Sequence, residues 1–210
     1  MILKNIIKKV IKLSTKKLSA GPHITRYYMY SHLASLAKTI NTDNLNNRVL
    51  SISQSLKLCK LLHIQDAEIV EANYPQYNIL KLPFQDNEFD YIVCDQVLEH
   101  VEGNVQEAIN ESRRVLKPGG IAVFATCFMN PIHGAPGDFW RFTPDALTLL
   151  FKKFQEIIDV GGWGNKHAWF IIWLGLRFHP IPHAKWHPLH KIAVRNNEQW
   201  PIVTWIVARK

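Results

Sequence analysis

The sequence predicts an α/β chain, a doubly wound and mostly parallel sheet with helices on both faces. Three observations carry this. From residue 48 onward, short β-branched runs alternate with segments of helical periodicity. Those runs are nearly continuous in apolar character, as strands covered on both faces are. Helical segments end in breakers that turn the chain into the next strand, most clearly KPGG at 117–120.

The elements follow in order. MILKNIIKKVIKLSTKKL opens the chain, and Leu3, Ile6, Ile7, Val10 and Leu13 recur at three and four while lysines take the other faces, which predicts a basic amphipathic helix over 1–20. GPH (21–23) breaks it, and ITRYYMYSHLASLAKTI (24–40) predicts a second helix. NTDNLNN (41–47) is a loop by composition. The strand runs are RVLSI (48–52), AEIVE (67–71), DYIVC (90–94), GIAVFAT (120–126), QEIIDV (155–160) and IVTWIVA (202–208). Between them lie the helical SLKLCKLL, a helix over 105–116 with Asn104 as cap and Glu107 completing a capping box, and a helix after Thr143 with Pro144 at its first position. Residues 21–210 make one domain, with an aromatic and basic insertion or lid (166–201) before the last strand.

A chain of 210 residues, 47% hydrophobic, can bury one good core, and two full domains would be cramped. The three cysteines are odd in number and far apart, two of them in strand-like runs, which points to reduced thiols in the cytoplasm rather than a disulfide framework. The net charge of +8 is uneven: residues 1–17 carry +6, residues 166–210 carry +6, and the middle carries −4. A nucleic-acid enzyme would carry its positive charge around the site, so a nucleic-acid partner is disfavoured. No stretch reaches the ~18 apolar residues of a membrane span. The basic helix can lie on an anionic membrane through residues 1–18, or pack its stripe on its own domain; a mitochondrial-type presequence fits less well.

In doubly wound sheets, ligands bind beyond the carboxyl ends of the strands. That directs attention to Ser53–Ser55, Glu71, Asp95–His100 and the loop 127–143. The run LPFQDNEFDYIVCDQVLEHVEGNVQEAINESRRVLKPGGIAVFAT (82–126) resembles the class I S-adenosylmethionine-dependent methyltransferases of small-molecule type. The resemblance extends more loosely over 48–165 and includes the last strand. It implies a seven-stranded sheet whose final strand inserts antiparallel, S-adenosyl-L-methionine as cofactor, and methyl transfer to a small-molecule acceptor, a glycan or lipid intermediate among the candidates.

The family's first strand usually ends in an acidic residue and a glycine-rich turn. Here those places hold Ser51, Ser53 and Ser55. A serine in the left-handed conformation costs about 1–2 kcal/mol, yet it is small and its hydroxyl can bond a carboxylate or ammonium. The resemblance implies that Glu71 accepts the ribose hydroxyls, that Asn78 takes the place of the acid receiving the adenine amino group, and that Asp95 and Gln96 lie near the cofactor. Each has a plainer reading: a solvated strand end for Glu71, a turn residue for Asn78, a helix cap for the serines. The segment from Glu71 to Asn78 is too short for the usual second helix.

The loop CFMNPIHGAPGDFWRFTPDAL (127–147) is dense in chemistry. In similar methyltransferases a DFWRFT-like string borders the acceptor pocket, which points to Trp140 and Arg141 as acceptor contacts. Trp163, in GGWGN, is a candidate cap of that pocket. A rigid turn locked by an Asp138–Arg141 pair is the alternative. If the acceptor must lose a proton, His133 and His100 are the candidate bases, with Asp138 placed to orient His133. His183 and His187 stand four apart, but Pro182 and Pro188 break the helix that would align them and no cysteine or acid completes a set, so no metal is expected. A methyltransferase-like fold that no longer transfers methyl groups and serves as a scaffold is the rival reading, motivated by the serine-for-glycine turn.

Overall fold

The computed structural model describes residues 2–40, 45–64, 66–134 and 136–210. Most of the predicted 41–47 loop lies outside the described residues. In order, the elements are α1 (Ile2–Thr15), β1 (Ala20–His23), α2 (Ile24–Ala37), β2 (Arg48–Ile52), α3 (Leu56–Leu61), β3 (Glu68–Ala72), β4 (Phe89–Asp95), a single 3₁₀ turn (Leu98–His100), α4 (Val105–Val115), β5 (Leu116–Cys127), α5 (Pro144–Leu150), β6 (Glu156–Trp163), α6 (Lys166–Trp173), β7 (Pro180–Pro182), α7 (Pro188–Val194) and β8 (Val203–Arg209).

The main sheet runs β3-β2-β4-β5-β8-β6. β3, β2, β4 and β5 are parallel, and β8 inserts antiparallel between β5 and β6. All six predicted strands are there. The sheet has six strands among the described residues, one fewer than the resemblance implied, because the stretch between β3 and β4 contributes only an Asn78–Lys81 bridge. Strand order reverses between β2 and β4, so their carboxyl ends diverge and open a crevice.

Period-two alternation divides the core into two layers. Val49, Tyr91, Val93, Ile121, Val123, Trp205 and Val207 face α2, α3, α6 and α7. Leu50, Ile92, Cys94, Phe124 and Ile206 face α4 and α5. The predicted caps hold. Asn104 Oδ1 accepts from Gln106 N–H at 3.0 Å, but its amide donates to Glu107 at 3.2 Å, a variant of the expected box. Thr143 Oγ1 accepts from Ala146 N–H at 3.1 Å ahead of Pro144. At the α4–β5 junction Gly119 has φ +78°, a conformation that favours glycine.

Two expectations change. GPH is not only a breaker: with Ala20 it forms β1, which pairs antiparallel with β7. Such short, proline-containing strands persist as edges because proline need donate nothing there. Pro188 does not break a helix but starts α7, with His187 Nδ1 accepting from Leu189 N–H at 3.1 Å as its cap.

Candidate active site

Beyond the carboxyl ends of β2, β3 and β4 lies a cleft of about 470 Å³, lined among others by Ser53, Gln54, Asn73, Asn78, Gln96 and His100. The β2–α3 turn that forms one wall keeps a glycine-like path without glycine. Ser53 (φ 40°) and Gln54 (φ 63°) are both left-handed. The turn is tied down from β3: Gln54 N–H donates to Asn73 Oδ1 at 2.8 Å, and Tyr74 N–H donates to Ser53 Oγ at 3.2 Å. The opposite wall carries Gln96, also left-handed at φ 60°, with both side-chain amide atoms buried and unpartnered.

The predicted cofactor residues divide. Ser53, Asn78 and Gln96 line the cleft. Ser51 and Ser55 are corrections. Ser51 is fully buried, because β2 lies between β3 and β4 and is covered on both faces. Ser55 is buried as well; its hydroxyl donates to Ile52 O at 2.5 Å and accepts from Asp95 N–H at 2.7 Å, so it stitches β2 to β4. Glu71 pairs with Ser51 across the ladder and is exposed, outside the cleft lining; Asn73, two residues on, takes that wall. Asn78 Oδ1 accepts from Leu80 N–H at 2.9 Å, a turn bond that leaves its amide group toward solvent.

Asp95 also turns away from the cleft. Its carboxylate accepts from Tyr30 Oη at 2.5 Å and pairs with Arg26 at 3.3 Å, while Oδ1 is buried without a partner. This belongs to a second polar cluster beneath α2 and the 166–201 segment. Arg177 has its Nε buried and unpartnered there. Burial, and then the charges of Arg26, Arg177 and Lys57, lower His23 to about 4. Glu99 is fully buried; Oε2 accepts from Thr126 Oγ1 at 2.8 Å and Oε1 has no partner. Asn130 Oδ1 is another unpartnered buried atom.

Loop 127–143 closes over this region. Asp138 is almost wholly buried and takes a bidentate grip from Arg141. It also accepts His133 N–H at 2.8 Å and lies 3.3 Å from His133 Nδ1. Arg141 thereby holds the Asp138 carboxyl well below the usual carboxylate range, against the opposing effect of burial. The predicted Asp138–Arg141 lock and the predicted orientation of His133 coexist. His100 bonds Gly137 O through Nδ1, and the two imidazoles meet edge to face at 5.0 Å. Glu99, Cys127 and His133 each bring one ligand-type atom within 4.8 Å of the others; burial raises the Cys127 thiol to about 12, so it stays protonated.

Trp140 is 41% exposed, its indole N–H donating to Val101 O at 2.9 Å. Trp163 is a correction. It is fully buried, and its N–H donates to Arg195 O at 3.0 Å, so it is core and not a pocket cap. The histidines of 179–190 are structural. His179 meets Thr15 at 2.8 Å, His187 meets Ser14 at 3.2 Å, and His183 and His190 each meet Tyr27 Oη at 3.2 Å. Gln54 and Asn73 in the cleft lining, and Arg26 and Arg177 in the second cluster, were not singled out in the sequence; only the position of Gln54 inside the flagged turn gave any signal.

Residues 33–124 match the model of a methyltransferase domain. An uncharacterized protein of Methanocaldococcus jannaschii is 43% identical over 79 residues, 38% of this chain and 31% of that protein. A demethylmenaquinone methyltransferase of Bacillus pumilus is 25% identical over 113 residues, 51% of this chain and 48% of that protein. The chain thus spans about a third to a half of the length of these relatives. Among solved structures, the Burkholderia thailandensis 1,6-didemethyltoxoflavin-N1-methyltransferase, with S-adenosylhomocysteine bound, superposes with a TM-score of 0.56 at 12% identity, covering 89% of this chain and 80% of that one. At that identity the likeness shows the fold alone. Residues 33–124 thus match a methyltransferase domain, and the parallel sheet with its antiparallel inserted strand makes the chain similar in fold to the class I S-adenosylmethionine-dependent methyltransferases.

Proposed function

We propose that this chain transfers a methyl group from S-adenosyl-L-methionine to a small polar acceptor, free or carried on a glycan or lipid. The observation that carries the reading is the cleft at the strand-order reversal, lined by a turn that holds glycine-like dihedrals and by Gln96, whose buried amide has no partner. A buried amide with both atoms unsatisfied costs stability unless a ligand or water meets it. Ser53 and Gln54 would meet the amino-acid tail of the cofactor, Asn73 its ribose, and Gln96 and Asn78 its base. When bound, the cofactor supplies an electrophilic methyl on a sulfonium.

The protein's own work is mainly alignment and exclusion of water. On the acceptor side, Asp95 Oδ1, Glu99 Oε1 and Arg177 Nε are left to bond something polar. The 166–201 segment serves as the lid over this cluster, with Trp140 and Arg141 at its border. His133 acts where the acceptor must lose a proton. A proton on Nδ1, donated toward Asp138 or Pro131 O, leaves Nε2 to accept, provided that the Asn130 amide, whose nitrogen lies 3.1 Å from Nδ1, turns its unpartnered oxygen to that side. The name of the Bacillus relative keeps a quinone-type, lipid-soluble acceptor within this reading. Three free, buried cysteines support a reducing, cytoplasmic setting, and residues 1–18 are offered to an anionic membrane.

The scaffold reading draws on Gln54 in the turn, Asn78 committed to Leu80, and Glu71 facing solvent. Calorimetry separates the two. Saturable heat with S-adenosylmethionine and with its demethylated product below millimolar ligand is expected; no heat at millimolar ligand favours the scaffold. With an acceptor in hand, His133→Ala should lower turnover by about 10²–10⁴-fold if a base is needed. Full turnover in both His133→Ala and His100→Ala removes histidine base catalysis.

A further inference from the structure

The amphipathic stripe read from the sequence is divided in the fold. Ile7 and Ile11 of α1 pack on the core layer beneath α2 and α6. Leu3, Ile6, Val10 and Leu13 do not: they are 69%, 54%, 59% and 61% exposed. At about 100° per residue these four make one row, set roughly 100° around the helix from the packed row. α1 therefore rests on the domain by one face and offers an unbroken aliphatic row to the outside.

The helix cannot roll to hide that row. Thr15 bonds His179 and Ser14 bonds His187, while Lys4 sits over the Trp173 ring at 4.4 Å. These contacts also say what flanks the row. At the Lys4 end stand Phe170 and Trp173, stacked at 5.6 Å and 47% and 57% exposed. At the Ser14 end stands Trp186, 67% exposed beside His187. Exposed tryptophans thus stand near both ends of α1, and tryptophan favours the level of lipid headgroups.

Charge identifies the occupant. Residues 1–17 hold six lysines and no acid, and residues 166–210, which supply the aromatic flank, hold seven basic residues against one acidic. Lys9, about 40° around α1 from Leu13, edges the exposed row. A second copy of this chain would set these like charges against each other, whereas an anionic leaflet neutralises them and takes up the apolar row together. No helix among the described residues is long and apolar enough to cross a membrane.

We propose that α1, the outer face of α6 and Trp186 form one docking surface for an anionic lipid bilayer, with α1 lying in the headgroup plane. This goes beyond the methyl-transfer reading and does not depend on it. The test is flotation of the full chain with vesicles of phosphatidylcholine alone or with a quarter phosphatidylglycerol. Binding is expected to the anionic vesicles and to fall with added salt. Ile6→Ser/Val10→Ser and Trp173→Ser, all at exposed positions, should each weaken it by roughly tenfold or more, given the apolar area each removes. Leu149→Ser, at a 65% exposed position of α5 on the opposite layer, should leave it unchanged. The inference is overturned if the wild type stays with the soluble fraction, if Leu149→Ser loses as much as the α1 variant, or if sedimentation shows a dimer that Ile6→Ser/Val10→Ser dissociates. Calorimetry with S-adenosylmethionine on the same variants should be unaltered, so failure here is distinct from failure of the cofactor reading.

Discussion

Gln96→Met should move stability and cofactor affinity in opposite directions. Both atoms of the Gln96 amide are buried and unpartnered, while its backbone N–H donates to Ala125 O at 2.7 Å and is untouched by the change. Methionine is unbranched and of similar length, so the left-handed backbone at φ 60° and the local volume are kept. Removing an unsatisfied buried amide recovers about 1–3 kcal/mol. In a chain of this size each kcal/mol corresponds to about 2–4 °C in melting temperature. If the amide meets the cofactor's base, the same change forfeits up to two neutral hydrogen bonds worth about 0.5–1.5 kcal/mol each, so affinity should fall by up to about 100-fold. Thermal melts without ligand and calorimetry with S-adenosylmethionine read the two halves separately. A variant that melts lower and binds equally well would mean the amide serves the fold through ordered water, and its place in the cofactor site would be lost.

Gln96 lines the cleft and Asp95 does not, for a reason that lies in strand geometry. Asp95 ends β4 and Gln96 follows it, and the resemblance assigns both to the cofactor. Yet adjacent residues at a strand end point to opposite sides. Gln96 faces the crevice, and Asp95 faces Arg26 and Tyr30 of α2. Ser51, inside β2, is buried, while Ser53 lies past the strand's end in the left-handed turn and lines the cleft. The six strands were legible because burial on both faces writes a continuous apolar run that no loop mimics. β1 and β7 were not, since Gly-Pro and Pro-Ile-Pro composition reads as turn, and only their mutual pairing makes them strands. Arg26 and Arg177 were illegible for a related cause. They stand about 150 residues apart, and nothing local tells an arginine that ends largely buried from one on the surface. His133 and Asp138 could be found because a five-residue separation inside one loop is itself a contact prediction.

That loop carries the other large effect. Asp138→Ala should cost about 3–5 kcal/mol, toward the lower end because the Arg141 side chain is 27% exposed and water can partly replace its partner. The carboxylate is only 2% exposed and serves two fixed donors besides a nearby imidazole: the Arg141 guanidinium and the His133 backbone N–H. Its removal strands both donors and frees the segment that aims His133. The pH dependence has a definite sign. The folded-state pKa of Asp138 lies below its unfolded value, so the folded chain binds its proton less readily than the unfolded chain. Its stabilisation is fully present above the ordinary carboxylate value of about 4 and is lost as pH falls below it toward the depressed value. Urea midpoints of wild type and Asp138→Ala should therefore be well separated at pH 7 and converge in acid. Asp138→Asn retains an oxygen for Arg141 without the charge, so its midpoint should lie between the two at pH 7 and vary less with pH than that of the wild type. Equal midpoints at pH 7 for wild type and Asp138→Ala would show that the Asp138–Arg141 clamp does not hold the loop. His133 would then have to be aimed by Asn130 and Pro131 alone.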